Sequence, residues 1–91
     1  MFKMGQIVMT RGVADLVEKD QDFSKFVIKC LQRHRNSDWG DLCEEDKKEN
    51  DFSVDKRLRI LSAYKFNDDV KIWIITEADR SVTTVLFPDE Y

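Results

Sequence analysis

Apolar residues recur at helical spacing in the first half of the chain and alternate at strand spacing in the last third. Phe23, Phe26, Val27, Cys30, Leu31 and His34 fall three or four residues apart, the stripe of an amphipathic helix. Asp20 or Asp22 can cap its first turn. Basic residues gather toward its end, where they complement the helix dipole, and the helix is predicted to stop near Asn36. Ahead of it, GQIVMT (5–10) is a short β-branched run that reads as a strand. Val13, Leu16 and Val17 then mark one or two helical turns, with Thr10 as the cap.

Behind the main helix, NSDWGD (36–41) is built from residues that make local hydrogen bonds or tolerate positive φ, so it reads as a turn. LCEEDKKENDFSV (42–54) follows as a third, largely exposed helix with Asp41 as its expected cap. Its first-turn acids Glu44, Glu45 and Asp46 suit the positive end of the dipole. RLRILSAYKF (57–66), VKIWIITEA (70–78) and SVTTVLF (81–87) are rich in β-branched and aromatic residues, and NDD and DR between them suit tight hairpins. In the second of these, Val70, Ile72, Ile74 and Thr76 share one face, with Lys71, Trp73, Ile75 and Glu77 on the other. Pro88 follows the last strand, where a missing N–H does least harm. The order β-α-α-α-β-β-β predicts an α+β fold: an antiparallel meander, widened by the N-terminal strand, carrying the helices on one face. Residues 1–91 are expected to form a single domain, since a chain of this length has no room for a second core.

Composition narrows the function classes. Ten aromatics and 42% hydrophobic residues exclude a disordered chain, and no apolar run approaches the roughly 18 residues of a membrane span. The start lacks a long apolar stretch with a small-residue cleavage site, so a cytoplasmic protein is expected. Cys30 and Cys43, with one histidine, make neither a disulfide framework nor a zinc ligand set, and both thiols are expected to be reduced. The net charge of −3 argues against general binding to phosphate backbones. That charge is unevenly spread. Residues 23–35 carry Lys25, Lys29, Arg33 and Arg35 without an acid, whereas residues 36–51 carry seven acids against Lys47 and Lys48.

DWGDLCEEDKKEND (38–51), LSAY (61–64) and KIWIITEADRSVTTVLFPDEY (71–91) resemble a family of small bacterial proteins found on plasmids and integrative elements and labelled plasmid-related proteins. The likeness covers roughly residues 5–91. It implies an accessory gene of mobile elements and supplies no catalytic residues. Where the resemblance leads one to expect glycine before Asp-Trp-Gly, this chain has Ser37.

Several groups offer chemistry. A hydrolytic arrangement would use Cys43 as nucleophile, His34 as base and Asp38 or Asp41 as its orienting acid. The helix end favours the Cys43 thiolate, the four acids within three residues oppose it, and no oxyanion-forming motif follows. Asp38, Asp41, Glu45 and Glu49, or Glu77 and Asp79, could hold a hard cation, but at none of the usual calcium-loop spacings. In TEADRS (76–81), Arg80 offers a planar donor fork flanked by Glu77 and Asp79. It is read either as a recognition tip or as a surface ion pair with one of those acids. Trp39 and Trp73 suit packing, with Trp39 folded back as a lid on the core, yet tryptophan also dominates interface hot spots. Asp89, Glu90 and Tyr91 suit an ordered tail.

No constellation reaches what an enzyme requires, so neither catalytic nor metal-binding residues are assigned and no cofactor is implied. The expectation is a small binding protein of mobile-element biology, acting through a protein partner and not through nucleic acid or membrane. Arg80, Glu77, Asp79, Asp41, Trp39 and Trp73 are its candidate contacts, and a monomer or weak homodimer its state. The alternatives are the small hydrolase just described and an acidic decoy for a DNA-cutting enzyme. A net charge of −3 is mild for the second.

Overall fold

Residues 2–91 are described in the computed structural model. The elements run β1 (Gln6–Met9), α1 (Arg11–Lys19), α2 (Gln21–Arg35), α3 (Glu44–Lys56), β2 (Ile60–Lys65), β3 (Lys71–Thr76) and β4 (Val82–Leu86), closed by a 3-10 turn at Pro88–Glu90. This is the α+β order read from the sequence. The sheet is ordered β1-β4-β3-β2. β2, β3 and β4 form the antiparallel meander, with Ser62 opposite Ile74 and Ile74 opposite Val85. β1 joins beside β4 in parallel, and the three helices carry the chain from β1 across to β2 at the opposite edge.

One sheet face carries the core. Val13 of α1 and Phe23, Val27 and Cys30 of α2 pack on Tyr64, Ile72, Ile74 and Val85. Asp20 caps α2, its Oδ1 accepting from the amides of Asp22 and Phe23. The helical stripe is not uniformly deep. Phe23 is fully buried among Phe26, Phe66 and Phe87, whereas Phe26 is only partly buried and packs against the cluster from outside. Thr10 holds the cap position of α1 but makes no cap bond there. Its hydroxyl donates to Glu90 instead.

The polar stretch 36–50 seals an edge of the sheet. β2 is an edge strand, and its outward amides and carbonyls would otherwise be free to pair with another chain. Ala63 donates to the Trp39 carbonyl and accepts from the Asp41 amide, Lys65 donates its amide to Asp41 Oδ2, and Asn50 both donates to and accepts from the backbone of Leu61. Gly40 allows this approach. At φ +72°, a side chain there would strike the Ala63 carbonyl and come within 2.6 Å of the Tyr64 ring. Ser37, where the resemblance leads one to expect glycine, also sits in the left-handed region at φ 63°.

Two expectations are corrected by this arrangement. Asp41 does not cap the third helix, because its carboxylate is taken by the β2 edge. Cys43 occupies the cap position, and α3 starts at Glu44 and runs on to Lys56. The second strand starts at Ile60 and not at residue 57, because Arg57 ends α3 in the left-handed conformation, φ 55°. Phe23→Ala is expected to cost about 3–5 kcal/mol and Phe26→Ala distinctly less, since only the first leaves an enclosed cavity. Denaturant midpoints of the two variants check this order.

Candidate functional site

The C-terminal end of α2 delivers His34 onto the helix-bearing face of the sheet, where it is completely buried. Its Nδ1 lies 2.5 Å from Ser62 Oγ of β2 and its Nε2 lies 2.9 Å from Thr76 Oγ1 of β3. Thr76 Oγ1 lies 2.7 Å from Thr83 Oγ1 of β4, and Thr83 Oγ1 donates to the Met4 carbonyl at 2.7 Å. A carbonyl can only accept, so the one proton of Thr83 is committed to Met4. Thr76 must then donate to Thr83 and accept from His34 Nε2–H. The chain of bonds fixes a proton on Nε2, and burial keeps the imidazole neutral, so that Nδ1 accepts from Ser62. Burial, aided by the charge of Arg80, pushes the His34 pKa down to about 3.

Trp39 closes this site, as a lid on the core should. It is buried, its ring meets His34 edge-on at 5.7 Å, its indole N–H donates to Asp51 Oδ1, and Phe2 stacks on it. The proposed hydrolytic group is therefore not assembled. Both ring nitrogens of His34 are engaged inside the protein, while Cys43 is exposed at the start of α3. Asp38 is gripped by Arg33 through two bonds of 2.8 and 3.1 Å, which holds its carboxyl below the usual range, and Asp41 is bonded to Lys65. Cys30 is buried in the core, and burial pushes its thiol up to about 12. Among the described residues, no group of three or more His, Cys, Asp or Glu side chains is gathered to hold a metal ion.

Arg80 is held differently from either expectation. Its own φ is 61°, and its guanidinium donates to the carbonyls of Leu58, Glu77, Ala78 and Ser53, so it ties the β3–β4 turn to the end of α3. Its expected pairing with Glu77 or Asp79 does not form. Asp79 accepts from the amide and hydroxyl of Ser81, which holds its carboxyl below the usual range, and Glu77 turns to Arg59. Arg80 and Trp39 do converge on the Phe2 ring, at 5.7 and 5.9 Å from its centre.

Trp73 and Glu77 lie apart from this end, on the sheet face opposite α1 and α2. The 3-10 turn packs on β3 and brings Tyr91 edge-on to Trp73 at 5.8 Å. Arg59 lies 5.2 Å from the Tyr91 ring centre, donates Nη1 to its hydroxyl at 2.7 Å and places Nε 3.7 Å from Glu77. Tyr91 is 67% exposed, and the Arg59 and Glu77 side chains are 47% and 41% exposed. Arg59 and Tyr91 were not among the residues predicted to bind. Tyr91 carried the signal of an ordered tail, but nothing local indicates that the tail folds onto this face.

A groove of about 390 Å³ lies beside the β2–β3 hairpin, between Asp41, Tyr64, Lys65 and Asp68–Lys71. Its rim is charged, with Lys65 paired to Asp68 at 3.3 Å. No helix among the described residues is long and apolar enough to cross a membrane. No family model, curated protein or solved structure matches the chain.

The buried histidine dictates a pH dependence. Its folded pKa of about 3 lies below the unfolded value of ~6.5, so the unfolded chain binds the extra proton between those limits. The stability His34 contributes is complete above pH ~6.5 and is lost as pH falls toward 3. Asp38, Asp79 and Glu90, whose carboxyls are held low by their partners, lose theirs only in the more acidic range. Denaturant unfolding is expected to show roughly 1–2 kcal/mol lost between pH 7 and pH 5. In His34→Gln this slope should vanish, because the chain has no other histidine.

Proposed function

We propose that this protein acts by binding a protein partner through the outer face of its sheet, with Trp73, Tyr91, Arg59 and Glu77 as the centre of contact. One observation carries the reading: these four side chains support one another on the face away from the helical core, with Trp73 half-buried beneath the exposed Tyr91 and the partly exposed Arg59 and Glu77. Tryptophan, tyrosine and arginine are the types that most often dominate interface energetics, and mutual contacts lower the entropy lost when a partner arrives. Glu77 and Trp73 belong to the contacts expected from the sequence. Arg80, Asp79 and Asp41 serve turns and an edge, and Trp39 is buried, so the proposal does not extend to them.

The net charge of −3 favours a protein over nucleic acid as the partner. The resemblance to plasmid-related proteins supplies the context of a bacterial mobile element, in a small, non-catalytic, cytoplasmic accessory role. Affinity capture of the tagged protein from its bacterial host, read by mass spectrometry, tests the proposal. Tyr91→Ala and Arg59→Ala are expected to keep the melting temperature within a few degrees, as changes at exposed sites do, and to lose the captured partner. Capture at the wild-type level by both folded variants would move the contact surface elsewhere.

A further inference from the structure

The two edges of the sheet are treated in opposite ways. The β2 edge is sealed by Trp39, Asp41 and Asn50, whereas β1 stands at the other edge with no strand or loop beside it among the described residues. β1 pairs with β4 through the ladder that begins with Gln6 N–H donating to Ser81 and ends with Thr10 N–H donating to Val85. In a parallel ladder the residues between face the other way, so the N–H and C=O groups of Ile7 and Met9 point outward. The side chains of the same two residues are 41% and 43% exposed. A bare edge with exposed apolar side chains is a template for another strand, and the usual protections, a charge or a proline within the edge, are missing from Gln6–Met9.

We infer that β1 is the seam of a symmetric dimer, pairing antiparallel with β1 of a second copy of this chain. The strand is self-complementary in one register. With Val8 opposite Val8 on the two-fold axis, Ile7 of each copy faces Met9 of the other. These two residues then supply four backbone hydrogen bonds and bury each other's side chains. The ends agree in charge. Lys3 precedes the strand, and Glu90 is anchored beside its finish by Thr10 Oγ1 and the Gly12 amide, with Asp89 next to it and Arg11 between. Antiparallel pairing brings Lys3 of one copy toward the acidic end of the other. Two four-residue strands bury less than the ~1,200 Å² of a stable interface, so the dimer is weak and depends on concentration.

Sedimentation equilibrium and amide NMR of the full chain, at about 20 μM and about 1 mM, test this. The mass is expected to rise toward twice the monomer value, with concentration-dependent shifts and slowed hydrogen exchange at the Ile7 and Met9 amides. Ile7→Lys and Met9→Glu alter exposed positions and should each remain folded and monomeric at the higher concentration. An equimolar mixture of the two should recover dimer, because the introduced charges then face one another across the seam. A wild-type monomer at about 1 mM would overturn the inference. So would association that persists in either single variant, or concentration-dependent shifts confined to Trp73 and Tyr91.

Discussion

One line of hydrogen bonds crosses the whole sheet and passes through a single imidazole. Ser62, His34, Thr76, Thr83 and the Met4 carbonyl draw on β2, α2, β3, β4 and the segment that enters β1. Each hydroxyl has one proton to give, so the acceptor at Met4 sets the direction of each bond back to His34 Nε2. An apolar core of the same volume would also hold these elements and keep their faces in phase, but the polar chain adds a further constraint on their relative register. Any slip would leave a donor or acceptor of the buried chain unpaired at a cost of ~1–3 kcal/mol. Trp39 and Phe2 then shield the imidazole, and Arg80 lies over Phe2.

Outside that line, the polar residues that stand out in the sequence are mostly engaged by other parts of the same chain. Asp38 grips Arg33, Asp41 completes the β2 edge, Asp51 takes the Trp39 indole, and Arg80 gathers four carbonyls. The helices were legible because their signals are local: the α2 stripe repeats within two turns, and Asp20 caps the amides two and three residues on. The meander was legible from alternation and short turns. The roles of Asp41 and Arg80 were not, because their partners, the backbone of Lys65 and of Ser53 and Leu58, are brought near only by tertiary structure. The Tyr91 contact with Trp73 and Arg59 was hidden for the same reason, since it joins residues 18 and 32 positions apart.

The exposed surface therefore divides into three parts with different physics. The β2 edge is closed by the chain itself, the β1 edge is left with free backbone groups, and the outer face carries a supported cluster of aromatic and charged side chains. The two open parts favour different contacts. Free backbone groups would recognise another strand with indifference to most of its sequence, whereas a partner proposed to meet Trp73, Tyr91 and Arg59 would be selected by shape and charge. A protein that meets a copy of itself along one edge and a partner across one face can present two copies of the same contact surface, which raises effective affinity without new contacts.

The hydrogen-bond line across the sheet depends most directly on the state of His34, and nitrogen-detected NMR of its imidazole reports that state. A neutral ring protonated at Nε2, unchanged from pH 8 to pH 5, is the predicted result, because the bond chain ends on a carbonyl and burial holds the pKa near 3. A ring protonated at Nδ1, or one that titrates near the ordinary value of ~6.5, would contradict it. The first result would reverse the direction of the chain from Met4 to Ser62, and the second would mean that burial does not hold the ring neutral.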